Sequence, residues 1–222
     1  MDICLIPARG GSKRVKDKNI AKIGNTTLLR NTIDQALQSN LFDKVIVSSD
    51  SEKIINSIQM NKIFIHRRDP EISNDKSTTL ELIKVLLSED LIGGQIKSLT
   101  LLQTTSPLRN IDDIKKSFYL YKNSNQDYLV SVCKLPHIMN PEKLLKLEKN
   151  NFIKGHFYLV DDEEKFHRNG PAIYIASSKY LSSCIDLYSG KGIAYIMPKS
   201  RSIDIDDYDD LKIANALFKE KK

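Results

Sequence analysis

The chain has 222 residues, with 34 lysines and arginines against 28 aspartates and glutamates, so its formal net charge is +6. Apolar residues make up 41% and charged residues 28%, which excludes collagen-like, low-complexity and disordered chains. A chain of this length can bury a sizeable core, so we expect one domain over residues 1–222. No apolar run approaches the roughly 18 to 20 residues of a membrane-spanning helix, and the start turns polar too soon for a signal peptide. We therefore expect a cytoplasmic protein with no membrane partner.

Short apolar runs alternate with amphipathic stretches along the first two thirds of the chain. Runs typical of buried strands lie at residues 3–7, 44–48, 63–66, 98–103 and 128–133. Helical periodicity lies between them, at residues 26–39, 51–60, 78–88 and 111–122. Strict alternation of strand and helix predicts an α/β fold with a parallel sheet and helices on both faces.

The pattern changes after Pro136. Residues 144–149 and 152–160 are expected to form a hairpin that turns at Asn150 and Asn151. This stretch suits an excursion from the core better than another βα unit. Residues near Tyr174 and at 192–197 would return the chain to the sheet, and residues 208–219 are expected to form the closing helix.

The cysteines and histidines give no sign of a transition-metal site. The cysteines are odd in number and widely separated, with no CxxC, so we expect buried thiols; they are Cys4, Cys133 and Cys184. The histidines lack an HExxH or comparable spacing.

A glycine-rich basic loop, ARGGSKRVKDKN, follows the first strand. Ligands of parallel sheets collect beyond the carboxyl ends of strands. Successive glycines, Gly10 and Gly11, let backbone N–H groups converge on an anion, and basic side chains add charge-assisted hydrogen bonds. The spacing is neither GxxxxGK[ST] nor GxGxxG. The loop therefore predicts a polyphosphate site, with a solvated basic turn as the alternative; its basic residues are Arg9, Lys13, Arg14, Lys16 and Lys18.

An acidic segment, SIDIDDYDDL, precedes the last helix. Asp204 and Asp206 alternate in an extended stretch and so project to the same face. Two carboxylates on one face repel each other unless a hard cation lies between them, and Mg²⁺ is commonly bound by one or two carboxylates plus substrate phosphates. The pair predicts a magnesium site, with an ordinary acidic surface as the alternative. The other three aspartates, Asp207, Asp209 and Asp210, are expected to serve the start of the helix.

Three further segments lie in turns of the predicted fold, and each is weak evidence alone because turns are usually rich in such residues. They are RRDPEISNDKSTT at Arg67–Thr79, QTTSPLR at Gln103–Arg109 and HRNGPAIYI at His167–Ile175.

Taken together, these segments resemble the CMP-sialic acid synthetases, the acylneuraminate cytidylyltransferases, over nearly the whole chain. The matching stretches are IPARGGSKRVKDKNI, the hydroxyl run at residues 75–79, LLQTTSPLR, NGPAIYI and SIDIDDYDDL. The resemblance implies a Rossmann-like nucleotidyltransferase fold of the GT-A kind, with a mostly parallel sheet. It also implies transfer of CMP from CTP to a sialic acid or related nonulosonic acid such as legionaminic acid, with Mg²⁺, release of pyrophosphate and a homodimer.

The resemblance also implies roles for individual residues. The triphosphate would be held by Arg9, Gly10, Gly11, Ser12, Lys13 and Lys18, with Asn19 contacting the nucleotide. Cytosine and ribose would lie along Arg68, Ser77 and Thr79. The sugar acid would contact Gln103, Lys143 and Arg168, and the metal would lie on Asp204 and Asp206. The residues expected to act in catalysis are Arg9, Lys13, Lys18 and Asp206.

The segment around Arg168 departs from the family's more usual Arg-x-Asn-Gly. The order here is His167, Arg168, Asn169, Gly170, so the arginine is displaced by one position. Pro171 is an additional residue relative to the commoner Asn-Gly-Ala-Ile-Tyr form. This departure bears on the assignment of Arg168 to the substrate carboxylate.

The excursion at residues 136–168 resembles the family's dimerisation extension. A stretch of that length cannot build much core of its own, so we expect it to need a partner subunit.

The expected reaction is attack of an anomeric hydroxyl on the α-phosphorus of CTP, with positioning and charge neutralisation supplying most of the rate. No general base is assigned, since His137 and His167 are candidates only by their chemistry.

Two alternatives stay open. One is a cytidylyltransferase for an eight-carbon 3-deoxy-octulosonate, a family that usually lacks the Gly-Gly-Ser-Lys-Arg form of the loop. The other is a nucleic-acid-binding module, but the basic residues cluster in one phosphate-sized loop and no RRM or KH signature occurs, so no nucleic-acid partner is expected.

Overall fold

Strands and helices alternate along most of the chain. The computed structural model describes residues 1–58, 60–74, 77–88, 92–134, 145–147, 153–156 and 167–219. The strands are β1 (Asp2–Pro7), β2 (Lys22–Ile23), β3 (Thr26–Thr27), β4 (Lys44–Ser49), β5 (Ile63–Arg67), β6 (Ser98–Leu101), β7 (Tyr128–Lys134), β8 (Leu145–Leu147), β9 (Ile153–His156), β10 (His167–Ser177) and β11 (Gly192–Ile196). The helices are α1 (Leu28–Ser39), α2 (Glu52–Asn56), α3 (Thr79–Ser88), α4 (Ile111–Lys122), α5 (Ser178–Ser183) and α6 (Tyr208–Lys219).

Seven strands form the main sheet, in the order β11-β7-β10-β6-β1-β4-β5. The β1, β4, β5 and β6 ladders are parallel, as is the pair of β7 and β11. The strand β10 runs antiparallel to both β6 and β7. The predicted α/β architecture with a mostly parallel sheet is therefore confirmed, and β10 is the antiparallel strand of the described sheet.

The direction of β10 follows from where the chain re-enters the sheet. His167, the first residue of β10, pairs with Lys134, the last residue of β7. The chain thus leaves the sheet and returns to it at the same end of the strands, so β10 must run in the direction opposite to β7. A strand parallel to β7 would require the chain to cross to the other end of the strands first.

The β10 ladder is irregular at the predicted insertion. Asn169 pairs with Val132, whereas Tyr174 pairs with Val130, so extra residues of β10 bulge between the two pairs. Gly170 and Pro171 lie in this interval. Proline cannot donate to a sheet ladder and is found in sheets mainly at edges and bulges.

Apolar side chains alternate between the two faces of the sheet. In β1, Cys4 and Ile6 belong to the cluster that includes Leu29 and Ile33 of α1. Ile3 and Leu5 belong to the opposite cluster, which includes Leu82, Ile83 and Leu86 of α3. This two-sided burial is why the strand is an almost continuous apolar run. The cysteines Cys4, Cys133 and Cys184 are buried and free, as predicted.

The bounds of several elements differ from the prediction. Helix α2 ends at Asn56 rather than near residue 60, and the Oγ of Ser57 donates to the carbonyl oxygen of Ile54 at 2.6 Å. Strand β6 ends at Leu101, so Gln103 lies in a turn rather than in the ladder. The predicted hairpin is present as the antiparallel pair of β8 and β9, while its expected turn lies outside the described residues. The short helix α5 and the pair of β2 and β3 were not predicted.

Helix α4 begins and ends where the sequence predicts, and a capping box fixes its first turn. The Oδ1 of Asn110 accepts from the N–H of Asp113 at 2.8 Å, and Oδ2 of Asp113 accepts from the N–H of Asn110 at 3.0 Å. Two of the helix's unsatisfied amides are thereby bonded.

Among the described residues, no helix combines the length and the apolar character needed to span a bilayer.

Arg109 is a buried cation under the turn that follows β6. Its side chain is 1% exposed, and its Nη1 donates to the carbonyl oxygens of Gln103 at 2.6 Å, Ser106 at 2.9 Å and Ala172 at 3.3 Å. Burial lowers the pKa of Arg109 to about 10, so it is charged at neutral pH. The guanidinium therefore ties the Gln103 turn to β10.

Replacing Arg109 with methionine should destabilise the protein. The three carbonyl oxygens would lose a charged donor inside the core, which we expect to lower the free energy of unfolding by about 3 kcal/mol. Urea denaturation followed by circular dichroism measures this change. Arg30→Met is the control, because Arg30 is half exposed and pairs with Asp34 one turn away; its effect should stay within about 0.5 kcal/mol. Equal unfolding free energies for Arg109→Met and the wild type would contradict the role of Arg109 in holding the Gln103 turn to β10.

Candidate active site

A cleft of about 530 Å³ opens at the carboxyl ends of β1, β5 and β6. It is lined by three of the segments singled out in the sequence: the loop after β1, the loop after β5 with the start of α3, and the turn after β6. The polar lining residues are Arg9, Ser12, Lys13, Arg14, Lys18, Asn19, Arg68, Asn74, Ser77, Thr78, Thr79, Gln103, Thr104 and Thr105. The fold therefore brings together segments about 90 residues apart in the chain.

The basic loop is fastened to the turn after β4 through Gly10. Its N–H donates to Oδ1 of Asp50 at 2.8 Å, and a Cβ at this position would lie 2.8 Å from the Cβ of Ser51. A Cβ built on Gly11 would meet nothing within 4 Å. Neither glycine lines the cleft. The amide of Gly10 therefore serves the packing of the loop, and the convergence of glycine N–H groups on an anion stays a prediction.

Asn19 holds the other end of the loop. Its side chain is 6% exposed, its Nδ2 donates to the carbonyl oxygen of Arg9 at 2.7 Å, and its Oδ1 accepts from Oγ1 of Thr104. These contacts connect the loop after β1 to the turn after β6. Asn19 lines the cleft, and its contacts help to shape the cleft wall; its predicted contact with the nucleotide stays a prediction.

Charge in the loop is distributed so that the cleft side stays basic. Asp17, the acid of this segment, has left-handed backbone at φ 52° and accepts from Nζ of Lys53 at 2.6 Å. Lys53 belongs to α2, outside the cleft lining. The lysines and arginines that face the cleft are therefore not neutralised by Asp17.

Arg68 lies at the back of the cleft, 9% exposed, and is held by Ser48. Its Nε donates to Oγ of Ser48 and its Nη2 to the carbonyl oxygen of Ser48, both at 3.2 Å. The same Oγ lies 2.9 Å from Nδ1 of His66. Burial lowers the pKa of Arg68, and the nearby carboxylate of Asp50 acts in the opposite direction.

Ser48 and His66 were not predicted as site residues. Each lies one residue before the carboxyl end of its strand, where ligands collect, and that position was the available signal, but each stands in an ordinary apolar run. Their roles depend on a pairing of neighbouring strands that places Ser48 opposite His66.

The acidic segment packs beside the basic loop. The N–H of Ile205 donates to the carbonyl oxygen of Thr105 at 2.8 Å, and Nζ of Lys18 donates to the carbonyl oxygen of Ile205 at 2.8 Å. Nη1 of Arg14 lies 3.1 Å from Oδ1 of Asp206. The two ends of the chain therefore meet at one edge of the cleft, although neither Asp204 nor Asp206 lines it.

Asp204 and Asp206 flank a buried residue, which is the pattern expected if their side chains project to the same side of the segment. Ile205 between them is fully buried, in a cluster with Leu28, Leu108 and others, whereas the Asp206 side chain is 58% exposed. Among the described residues no group of three or more histidine, cysteine, aspartate or glutamate side chains could hold a metal. Two carboxylates supply hard oxygen ligands, the kind that suits Mg²⁺ when phosphates and water complete its shell.

The other aspartates of the segment serve the start of α6, as predicted. Oδ2 of Asp210 accepts from the N–H groups of Asp206 at 2.9 Å and Asp207 at 3.2 Å. Oδ1 of Asp207 accepts from the N–H groups of Asp209 at 2.9 Å and Asp210 at 3.0 Å.

Two predicted sugar-acid residues are placed incompletely. Lys143 lies outside the described residues, as does His137. For His167 and Arg168 the structure describes the backbone, which forms the start of β10, with Arg168 opposite Cys133. Gln103 is the member of the predicted set that lines the cleft.

Comparisons with known proteins agree with this arrangement. The sequence profile of the family described as Cytidylyltransferase matches residues 3–195. N-acylneuraminate cytidylyltransferase of Escherichia coli is 32% identical over 99% of this chain, and the chain spans 52% of that protein, about half its length. CMP-N,N'-diacetyllegionaminic acid synthase of Campylobacter jejuni is 31% identical over 99% of this chain and 95% of its own length.

Among solved structures, CMP:2-keto-3-deoxy-manno-octonic acid synthetase complexed with CTP has a similar fold. It superposes with a TM-score of 0.72 at 14% sequence identity, over 100% of this chain and 99% of its own. The family match covers residues 3–195, which include all the cleft-lining segments. The alignments at 31% and 32% identity cover 99% of the chain. The chain therefore belongs to the cytidylyltransferase family, among the CMP-sialic acid synthetases, and is a nucleotidyltransferase.

Proposed function

We propose that this protein transfers CMP from CTP to a nonulosonic acid, releasing pyrophosphate. The observation that carries the proposal is the meeting of the basic loop and the acidic segment at one cleft, through the contact of Lys18 with Ile205 and of Arg14 with Asp206. A magnesium nucleotide needs both kinds of group, cations for phosphate oxygens and carboxylates for the metal.

The triphosphate is assigned to the basic side of the cleft. Arg9, Ser12, Lys13 and Lys18 line it, and negative charge develops on the leaving pyrophosphate as the bond to the α-phosphorus breaks. Cations fixed in place before the reaction stabilise that charge without reorganising. Lys18 is fixed by its bond to the backbone of Ile205. Gly10 and Gly11 would shape the loop rather than contact phosphate.

The nucleoside is assigned to the far side of the cleft, along Arg68, Ser77 and Thr79. The hydroxyl of Thr78 is already used, because its Oγ1 accepts from the N–H of Glu81 at 3.1 Å as the cap of α3. Arg68 is held by two bonds to Ser48, so it would present a guanidinium of fixed orientation to the nucleoside.

The sugar acid is assigned to the edge formed by Gln103 and the start of β10. Gln103 is oriented through its own backbone, since its carbonyl oxygen accepts from the buried Arg109 at 2.6 Å. Arg168 and Lys143 are proposed to reach the substrate carboxylate. Holding the anomeric hydroxyl in line with the α-phosphorus supplies much of the rate in reactions of this kind.

A divalent cation, proposed as Mg²⁺, fits Asp204 and Asp206 by the chemistry of the two carboxylates. When bound, it would neutralise phosphate charge and make the attacking hydroxyl more acidic. Arg14 pairs with Asp206 at 3.1 Å, so this arginine would have to share or release the carboxylate as the nucleotide binds. No residue is assigned as general base.

The acceptor is proposed to be a nonulosonic acid because relatives with names of this kind match at the level of sequence. They act, by name, on N-acylneuraminic, diacetyllegionaminic and pseudaminic acids. The octonic acid synthetase, at 14% identity, supports the fold alone.

Incubation with CTP, Mg²⁺ and a panel of acids tests the proposal. We expect pyrophosphate release with at least one of N-acetylneuraminic, diacetyllegionaminic and pseudaminic acid, and kcat/KM at least roughly 100-fold lower with the eight-carbon octulosonate, because its shorter chain leaves acceptor contacts unmade. Reactions without CTP or without acid are the controls. Release that is fastest with the octulosonate would overturn the substrate class.

Asp206→Ala should abolish turnover while leaving the fold intact. Loss of one of two metal carboxylates is expected to lower kcat by roughly 100-fold or more, whereas the side chain is 58% exposed and contributes little packing. The measurements are pyrophosphate release and far-ultraviolet circular dichroism. Asp209→Ala is the matched control, since Asp209 belongs to the same acidic run but pairs with Lys212 on α6 at 2.8 Å. Full activity in Asp206→Ala would remove the metal assignment.

We also propose a homodimer built through residues 136–168 of the single 1–222 domain. The hairpin of β8 and β9 forms a two-stranded sheet separate from the main sheet. A two-stranded hairpin is marginally stable by itself in water, so it needs a surface to pack on.

Sedimentation velocity of the full chain should give twice the 25.3 kDa chain mass. Replacing residues 136–166 with a short glycine-serine linker should give a monomer with reduced activity. A wild-type protein that is monomeric and fully active at assay concentrations would count against the dimer.

A further inference from the structure

An ion pair with a buried carboxylate joins the start of α4 to the turn before the acidic segment. Nε of Arg201 lies 2.8 Å from Oδ2 of Asp113, and Nη2 lies 2.8 Å from Oδ1. The Asp113 side chain is 1% exposed and that of Arg201 is 28% exposed. Two parallel N–H···O bonds fix the direction as well as the distance of the pair.

The carboxylate of Asp113 is bonded on both oxygens by further donors. The hydroxyl of Tyr195 in β11 donates to Oδ1 at 3.1 Å, and the N–H of Asn110 donates to Oδ2 at 3.0 Å. The hydrogen bond to Asp113 raises the pKa of Arg201. One carboxylate thus connects α4, the edge strand β11 and the 3-10 turn Lys199–Arg201.

The acidic segment is held on both sides of Asp204. On one side, Arg201 is bonded to Asp113, and the buried Ser202 donates its Oγ to the carbonyl oxygen of Pro198 at 2.9 Å. On the other side, Ile205 is buried and bonded to Thr105. Asp204 lies three residues after Arg201, so the ion pair fixes the position of the backbone just before the two carboxylates.

We propose that Asp113 and Arg201 are positioning residues that hold Asp204 and Asp206 in the arrangement a divalent cation requires. The inference rests on the proposed function, which assigns the cation to these two carboxylates. Like charges on one face repel each other, and only a backbone fixed in advance keeps them at ligand spacing before the cation arrives. Neither Asp113 nor Arg201 lines the cleft, so their effect on the cation would be indirect.

An ion pair that only stabilises the fold should not affect cation binding. A second ion pair on the same helix allows this comparison. Lys122, the last residue of α4, lies 2.6 Å from Oδ1 of Asp2, with side chains 32% and 23% exposed. Asp2 begins β1, so this pair lies at the end of the sheet opposite the cleft. Its loss should affect stability without moving the acidic segment.

The test measures binding of Mn²⁺, as a paramagnetic probe, to the protein in the presence of CTP by electron paramagnetic resonance. Arg201→Met should weaken Mn²⁺ binding on the order of 10-fold, and Arg201→Lys, which keeps the charge but not the two-pronged contact, should recover part of the loss. Lys122→Met is the control and should bind Mn²⁺ like the wild type. Melting temperatures of all variants are recorded in parallel.

A double variant guards against misfolding. Arg201→Met leaves Asp113 as a buried carboxylate without its cation, which is costly, whereas Asp113→Asn with Arg201→Met removes both charges together. We expect the double variant to be folded and still to bind Mn²⁺ on the order of 10-fold more weakly.

The outcomes separate this inference from the proposed function. Wild-type Mn²⁺ affinity in the double variant, or equal weakening in Lys122→Met, would overturn the positioning role. If Asp206→Ala binds Mn²⁺ with CTP as tightly as the wild type does, the metal assignment itself fails, and this inference fails with it.

Discussion

The architecture of the cleft depends on one backbone position, Ile205, near the end of the chain. Its carbonyl oxygen accepts from Lys18 and its N–H donates to Thr105, both at 2.8 Å, while its side chain is fully buried. These contacts connect the first loop, the turn after β6 and the acidic segment at a single point. Without that point, the basic and acidic groups would belong to separate surfaces, since 187 residues separate Lys18 from Ile205 in sequence.

Around this point, the fold holds together charges that would otherwise repel each other. Arg9 and Arg68 are close enough for each to influence the other electrostatically, and Asp204 and Asp206 share a face. The two arginines are held from behind by uncharged partners: Ser48 behind Arg68, Asn19 behind the backbone of Arg9. Holding like charges close together lowers the stability of the folded protein. The same fixed charges stabilise a reaction in which charge moves between phosphates. The apolar clusters on both faces of the sheet supply the stability that permits it.

Much of the fold and of the cleft could be predicted from the sequence, because the local sequence signals agree with the tertiary structure. The start of α4 follows from the capping of Asn110 and Asp113, and the helix-start role of Asp207 and Asp210 follows from their positions. The antiparallel direction of β10 was not predictable, since it depends on where a long excursion returns. The packing role of Gly10 and the support of Arg68 by Ser48 and His66 were also missed, because each depends on a contact between strands or loops far apart in the chain. Resemblance could name the acidic pair as metal ligands, but it could not reveal the ion pair behind them.

The reversed strand β10 has a consequence for how such an enzyme can diversify. Since Lys134 and His167 are paired neighbours, the chain between them begins and ends at one point of the main sheet. If that stretch carries the residues proposed for the sugar acid, such as Lys143, changes in it would alter the acceptor pocket without disturbing the loops proposed for the nucleotide. Recognition of the acceptor and activation of the donor would then be separable, and a lineage could exchange one sugar for another while keeping its phosphate chemistry.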